Sequence, residues 1–331
     1  MPLSRGAQSG GNPDPGDGGA GEGGGGGFVP VIEPIGFYEP WWLAPDGTDL
    51  QLNPPGSDLF SLKSVSGLGA VPLDQVTAPA ADGGVTVESE RVRERTIVWP
   101  LRIRGDTHLQ FLERWRYVTD LFTQTKRLGP GRLLLIRPDG TSREIIARYR
   151  SGLEQEPEDG AWRQATPSIT LLCPDGYWQG VEPVSKTWSQ ETGADFITPT
   201  YPAISSGQVL GEATLSNSGV ADAWPTWTIR GPLSSLTATN VTRGETFVLT
   251  YTLTAGQVLT MSTRPIQVRG PGGVQAISAL NLLAGGIPWR VDARSQTQIQ
   301  FSASGAAAPT VPGGTDGTAI TAQFHEKFET A

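Results

Sequence analysis

The chain has 331 residues with a net charge of −8, only 18% charged residues, a single cysteine and two histidines. This balance argues against a nucleic-acid groove, an anionic membrane surface, an internal disulfide and a histidine-based metal site. Glycine (43 residues) and proline (27 residues) together make up about a fifth of the chain, well above the average share, so turns or linkers interrupt it often.

Residues 1–27 are predicted to form a flexible, glycine-rich leader. Twelve glycines lie between residues 6 and 27, and the only charged residues in that stretch are Asp14, Asp17 and Glu22. Such a segment cannot bury enough apolar surface to offset the entropy lost on ordering. The alternative is an arm that becomes ordered within an assembly.

Residues 28–180 are predicted to form a first, β-rich domain. It opens with a stretch at 28–43 whose closely spaced prolines exclude a helix. The sequence Pro-Asp-Gly, typical of a tight turn, occurs three times, at 45–47, 138–140 and 174–176. The middle copy should join strands 132–137 and 141–150 in a hairpin.

One amphipathic helix is predicted within this domain, at about residues 107–127. Asp106 or Thr107 can cap its N-terminus, and Gly129 followed by Pro130 ends it. Apolar residues recur every three or four positions, as on one face of a helix: Leu109, Leu112, Trp115, Val118 or Thr119, and Phe122. We expect this face to pack against a sheet, with Trp115 in the core.

Residues 181–205 are predicted to be a linker, and residues 206–331 a second domain with the fold of a β-sandwich or jelly roll. The composition shifts towards Thr, Ser, Gly and Gln after Trp178. Short strand-like runs then follow one another at intervals of about 8–12 residues, which is typical of a sandwich. The best-marked hairpin would pair 246–253 with 257–260 around Ala255-Gly256.

No arrangement of residues predicts an enzyme, a cofactor or a metal site. Cys173 would need a base to act as a nucleophile. Neither His108 nor His325 lies in a catalytic motif, so a buried structural cysteine is favoured. The acidic run at 154–159 could hold a carboxylate pair for glycoside hydrolysis, but a charge run between two strands is more typical of a solvated loop.

Ten tryptophans are distributed along the chain. They are interpreted as core or subunit-interface residues, with stacking on sugar rings as the alternative. Trp41, Trp42 and Trp227 are the interface candidates. Trp224 lies three positions before Trp227 in one predicted strand, so the two should point to opposite faces, one into the core and the other to an edge or interface.

Arginine outnumbers lysine 21 to 4, and Arg91, Arg93 and Arg95 lie in the alternating charged segment 88–95 (ESERVRER). Such a segment is typical of a solvated edge strand with charged gatekeepers. The functional alternative is a belt of salt bridges between subunits, because the planar guanidinium suits interface ion pairs. The three arginines are therefore further interface candidates.

An ordered set of short motifs resembles the N-terminal domain of siphovirus-type distal tail proteins. The set comprises SGLG (66–69), DGG (82–84), Arg91 and Arg95, IVWPLRI (97–103), the helix, LGPGRL (128–133), RPDG (137–140), Arg143, Ile145, Tyr149, SG (151–152) and PDGYW (174–178). Downstream, a second set of residues is similar to the family's C-terminal domain. The set comprises ADAWPTWTIRG (221–231), Asn240, Gly244, Leu249, Leu253, Gly256 and MSTRP (261–265).

The resemblance implies a mainly β fold, with an N-terminal split β-barrel that carries one α-helix and a C-terminal galectin-like β-sandwich. It implies a structural, non-enzymatic protein of the virion, assembled in the host cytoplasm, that forms a hexameric ring at the distal end of the tail. The expected partners are the tail tube protein, the tape-measure protein and the tail-tip hub or fibre proteins. Binding to nucleic acid or to a membrane is not expected. The alternative function is a carbohydrate-binding adhesin that uses the C-terminal sandwich.

Overall fold

The structure is a computed structural model that describes residues 39–53, 59–61, 65–154, 163–189, 211–284, 290–309 and 316–331. Within these residues the fold is mainly β with one α-helix, as the sequence predicted. No helix in this part of the chain is long and apolar enough to cross a membrane. The predicted leader at 1–27 lies outside the described residues.

The described elements follow one another in two runs. The first run is β1 (Glu39–Leu43), β2 (Asp49–Gln51), β3 (Leu59–Ser61), β4 (Leu73–Pro79), β5 (Val85–Val92), β6 (Arg95–Arg104), α1 (His108–Thr123), β7 (Gly131–Ile136), β8 (Ser142–Ser151), β9 (Gln164–Ala165), β10 (Ser168–Cys173) and β11 (Trp178–Gly180). The second run is β12 (Val184–Ser189), β13 (Glu212–Asn217), β14 (Thr226–Arg230), β15 (Leu233–Asn240), β16 (Glu245–Leu253), β17 (Val258–Thr263), β18 (Ile266–Arg269), β19 (Leu280–Ala284), β20 (Ser295–Ser304), β21 (Ala319–Phe324) and β22 (Lys327–Phe328).

Ten strands form one curled, half-barrel sheet around a first core. Its central path runs β2–β1–β7–β8–β10–β6–β3, with β9 beside β6, and with β11 beside both β8 and β22. The pattern of β6 shows why this sheet has a buried face. Alternate residues of a strand face the same side, and those of β6 that enter the core are Ile97, Trp99, Leu101 and Ile103.

Helix α1 packs its apolar face into the same core. Thr107 caps it by accepting a hydrogen bond from the backbone N–H of Gln110 at 3.2 Å. Trp115 is buried, as predicted, together with Phe111, Val118, Leu121 and Phe122. The predicted stripe is wrong at its first position, since Leu109 is 64% exposed. Phe111 is buried in its place, because it lies one helical turn before Trp115.

Two predicted chain reversals are present. The helix is followed by a 3₁₀ turn at Gln124–Lys126, and the chain then leaves the helical path at Gly129, whose φ is 111°. The second reversal joins β7 to β8 in the predicted hairpin. There Asp139 accepts a hydrogen bond from the Thr141 N–H at 2.9 Å, and Gly140 adopts the positive φ (83°) that this turn requires.

The second core lies between two five-stranded antiparallel sheets that form a sandwich. One sheet has the order β12–β21–β14–β17–β18, and the other has the order β13–β20–β15–β16–β19. Both sheets contribute fully buried residues to this core: Ile229, Leu259 and Ile320 from the first, and Leu236, Leu249 and Ile299 from the second. The predicted fold class, a β-barrel with one helix plus a β-sandwich, is confirmed.

The predicted hairpin around Ala255-Gly256 is wrong, because its two strands belong to different sheets. β16 pairs with β15 and β19, whereas β17 pairs with β14 and β18. The turn itself is present, since the Gln257 N–H donates to the Thr254 carbonyl at 3.1 Å. This turn carries the chain from one sheet of the sandwich to the other.

Two segments depart from the predicted division into domains. β12, within the predicted linker, pairs along β21 at the edge of the sandwich, where Trp188 stacks on Trp227 with ring centroids 6.4 Å apart. Its polar sequence (VSKTWS) concealed it, because an edge strand needs few apolar residues. At the other end, β22 pairs with β11, and Ala331 packs into the first core.

Candidate functional site

β4 and β5 form a two-stranded hairpin that pairs with no other strand in the described ranges. A tight turn joins them, in which Gly83 and Gly84 adopt positive φ angles of 95° and 82°. Most residues of both strands are exposed. The hairpin is therefore a surface feature, and the charged segment 88–95 supplies residues 88–92 of its second strand.

One face of the hairpin tip is apolar. Val85 and Val87 lie on the same face of β5, opposite Pro79 and Thr77 of β4. Val85 is 66% and Val87 is 51% exposed. Neighbouring apolar side chains that are this exposed mark a surface suited to a partner. These valines were not among the interface residues predicted from the sequence, although their alternation directly after two glycines was the available signal.

Arg91 and Arg93 lie on the surface. The Arg91 guanidinium is 2.8 Å from the Asp74 carboxylate across the hairpin, and its side chain is 80% exposed. Arg93 lies 3.7 Å from Glu94. Exposed ion pairs of this kind contribute little to stability, so both arginines are available to another chain. Their place in a belt between subunits stays a prediction.

Arg95, the third arginine of the segment, is 2% exposed. Its guanidinium donates four hydrogen bonds to backbone carbonyl oxygens, namely to Gly176 (2.8 Å), Gly67 (2.6 Å), Gly69 (2.7 Å) and Glu329 (2.7 Å). These carbonyls belong to three segments that are distant in sequence. We call Arg95 with its four carbonyls the arginine clamp, and its visible role is to hold one chain together.

Two of the three candidate tryptophans are also interior residues. Trp42 stacks on Phe122 with ring centroids 4.7 Å apart, and its indole N–H donates to the Leu121 carbonyl at 3.3 Å. Trp227 lies in the core of the sandwich. Trp41 alone among the three is half-buried. Of the six interface candidates, Trp41, Arg91 and Arg93 therefore offer surface to another chain.

Cys173 is buried and is poorly suited to act as a nucleophile. Burial raises the pKa of the Cys173 thiol to about 12, against a smaller opposing effect of the charge on Arg95. Nδ1 of His325 donates instead to the Gly180 carbonyl, 2.8 Å away. Cys173 is thus the buried structural cysteine that the sequence favoured.

The acidic run is described only at Glu154, and the residues 155–159 lie outside the described ranges. The Glu154 carboxylate accepts hydrogen bonds from the Gly152 N–H (2.8 Å) and the Tyr149 hydroxyl (3.1 Å), and the first of these lowers the pKa of Glu154. It therefore stabilises a loop. Across the described ranges, no three His, Cys, Asp or Glu residues are placed to hold a metal ion.

Solved structures of phage tail proteins share this fold. The Dit protein (gp 19.1) of phage SPP1, described as a paradigm of the hub adsorption apparatus in phages that infect Gram-positive bacteria, is 16% identical with a TM-score of 0.58, and the match covers 88% of this chain and 100% of that one. A chain of the phage P2 baseplate, in its activated conformation with Ca, is 10% identical with a TM-score of 0.51, over 89% of this chain and 100% of that one. Neither a family model nor a curated protein sequence matches the chain.

The chain therefore has the fold of phage tail hub and baseplate proteins. The resemblance to siphovirus-type distal tail proteins is confirmed as a likeness of fold. It holds although at most 16% of the aligned residues are identical in the two structures compared.

Proposed function

We propose that the chain is a structural, non-enzymatic protein of a phage tail. In this proposal it forms a hexameric ring at the distal end of the tail and joins the tail tube and tape-measure protein to the tail-tip and host-adsorption proteins. The fold shared with a phage hub protein over 88% of the chain supports the place in the tail. The protein would be assembled in the host cytoplasm and carried in the virion.

The observation that carries the assembly role is the apolar tip of the β4–β5 hairpin. An isolated two-stranded hairpin is marginally stable in water, and here Val85 and Val87 remain exposed on it. A second copy that covered this tip would bury both valines. Contact between the tip of one copy and a different surface of the next is head-to-tail, and such contacts close into a ring when the rotation between copies permits.

Mass photometry of the full-length chain tests this assembly. Six copies of the 35.1 kDa chain give a particle of about 210 kDa. The double substitution Val85→Glu with Val87→Glu places two charges on the apolar face and should weaken assembly at least about tenfold. Thr86→Glu adds a charge to the opposite face of the same strand and should leave the particle intact, so it is the matched control.

All three substituted side chains are exposed. The variants should therefore keep the circular dichroism spectrum of the wild-type chain, and a loss of assembly is then a loss of contact. Negative-stain images of the wild-type particle should show a ring with an open lumen. Monomers alone at micromolar concentration, or a double variant that assembles like the wild-type chain, would contradict the proposal.

A further inference from the structure

A polar cleft of about 570 Å³ lies where the first sheet meets the sandwich. Its walls include Trp224 and Arg264 of the sandwich and Gln323 near the end of β21. They also include His325, which follows β21, and Lys327, the first residue of β22. This volume falls in the range of about 300–1,000 Å³ that is usual for small-ligand sites. The cleft plays no part in the assembly role proposed above.

Strand register explains why these side chains converge. β14 pairs Thr226 with Ser262 of β17 on one side and with Gln323 of β21 on the other. Trp224 lies two residues before Thr226, Arg264 lies two residues after Ser262, and His325 lies two residues after Gln323. All three are just outside the paired strands. They line the same cleft as Thr226 and Gln323, so an aromatic, a cationic and an imidazole side chain share the outer face of the sheet. Trp224 is half-buried there while Trp227 is in the core, as their spacing predicted.

Arg264 is the cation of the cleft that has no acidic partner among the described residues. Its guanidinium carbon lies 5.4 Å from the centre of the Trp224 ring, and this stacking orients the planar group without using its N–H donors. Among the described residues it forms no ion pair, whereas Lys327 is matched by Asp175 with Nζ and Oδ2 2.6 Å apart. An exposed, oriented guanidinium in a cleft of an acidic chain is suited to a carboxylate or a phosphate.

Hydrogen-bonding groups surround this cation. Nδ1 of His325 donates to the Gly180 carbonyl, so Nε2 is the ring nitrogen that stays available to a ligand. The amide of Gln323 and the hydroxyl of Thr226 also line the cleft. A fixed indole with amide, hydroxyl and imidazole groups matches the mixture of apolar ring face and hydroxyl groups that a sugar presents. A protein segment would instead find few apolar contacts here.

We propose that this cleft binds an anionic sugar residue, one that carries a carboxylate or a phosphate. The acid group pairs with Arg264, and the hydroxyl groups bond to Gln323, Thr226 and Nε2 of His325. Trp224 supplies the apolar wall. The site would give the sandwich a recognition function in addition to the assembly role, and it is complete within one chain.

Isothermal titration calorimetry on the full-length chain tests the site with glucuronate, glucose 6-phosphate and glucose. We expect at least one of the two acids to bind at least about tenfold more tightly than glucose, since a charge-assisted bond is lost with the neutral sugar. The two acids distinguish a carboxylate ligand from a phosphate ligand. Arg264→Gln should weaken binding of that acid at least about tenfold.

Arg269→Gln is the matched control, because it removes the same charge from an exposed arginine on the neighbouring strand β18. It should change the affinity less than about twofold. Gln323→Ala, at a second exposed position, should also weaken binding and provides a further variant if Arg264→Gln alters the fold. The proposal is overturned if neither acid saturates the site at about 20 mM, or if glucose binds as tightly as the two acids. It is also overturned if Arg264→Gln and Gln323→Ala both bind the acid like the wild-type chain, or if only an acidic peptide binds.

Discussion

Substitution of Arg95 by methionine should destabilise the chain more than any other single change to a charged residue of the segment 88–95. Methionine keeps much of the aliphatic length but removes all four hydrogen bonds of the arginine clamp. The carbonyl oxygens of Gly67, Gly69, Gly176 and Glu329 would then lose their donor. Three segments that are distant in sequence would lose their common point of attachment.

The structure sets the size of this effect. A buried acceptor without a donor costs about 1–3 kcal/mol. The bond to Gly176 is buried and the other three are partly buried, so the total loss is comparable to that seen when one partner of a buried charged network is removed, about 3–5 kcal/mol. Burial lowers the pKa of Arg95, which shows that placing the charged guanidinium inside is itself unfavourable. Removal of that penalty offsets part of the loss. We therefore expect a loss of about 3–5 kcal/mol in the free energy of unfolding.

Urea unfolding followed by tryptophan fluorescence measures the global effect, and hydrogen–deuterium exchange measures the local one. Exchange should rise at residues 65–70 and 327–331, where the Ala331 N–H donates to the Leu68 carbonyl at 3.0 Å. Arg95→Lys keeps the charge but not the planar guanidinium, so its stability should lie between those of the wild-type chain and Arg95→Met. Arg93→Met, at an exposed neighbour, should change stability by less than about 0.5 kcal/mol. Unaltered exchange at both segments in Arg95→Met would refute the clamp.

Three further changes test the core, the cysteine and a turn. Trp115→Ala should cost about 3–5 kcal/mol because the indole is buried against the sheet, and an unchanged melting temperature would place it on the surface. Cys173 should not react with a thiol reagent at pH 8 until the chain is unfolded, because burial raises its pKa to about 12; full labelling of the native chain would contradict its burial. The Thr141 hydroxyl and N–H lower the pKa of Asp139 in the folded state, so this carboxylate stabilises the turn above its ordinary pKa and loses that effect as the pH falls through the lowered value. Asp139→Asn should therefore lower the melting temperature at pH 7 but not at pH 2, and an equal difference at both pH values would contradict this.

Features that depend on neighbouring residues were predictable from the sequence. The turn at 138–140, the cap at Thr107 and the burial of Trp115 each follow from residues within a few positions of one another. Trp227 is in the core and Trp224 lines the cleft, as the period of a strand predicted, although β14 begins only at Thr226. Local chemistry was thus enough for these elements, whereas the N-terminal β-barrel was expected only from the family resemblance.

Features that depend on contacts between distant segments were not predictable. A tight turn such as Ala255-Gly256 has the same local signal whether the chain returns along one sheet or crosses to another. Arg95 was grouped with its exposed neighbours because the carbonyls that surround it come from 26 to 234 residues away along the chain. The cleft beside Arg264 combines side chains from both halves of the chain, so no single stretch of sequence contains its pattern.

The pairing of β11 with β22 and of β12 with β21 has a mechanical consequence. The chain passes from the first sheet to the sandwich at 180–184 and returns at 324–327, and the two passages run side by side, with the Gly180 N–H bonded to the Glu326 carbonyl at 3.0 Å. A double-stranded junction resists torsion far better than a single covalent tether does. We therefore expect tension or torsion applied to the sandwich to reach the first sheet through both passages and the backbone hydrogen bonds between them.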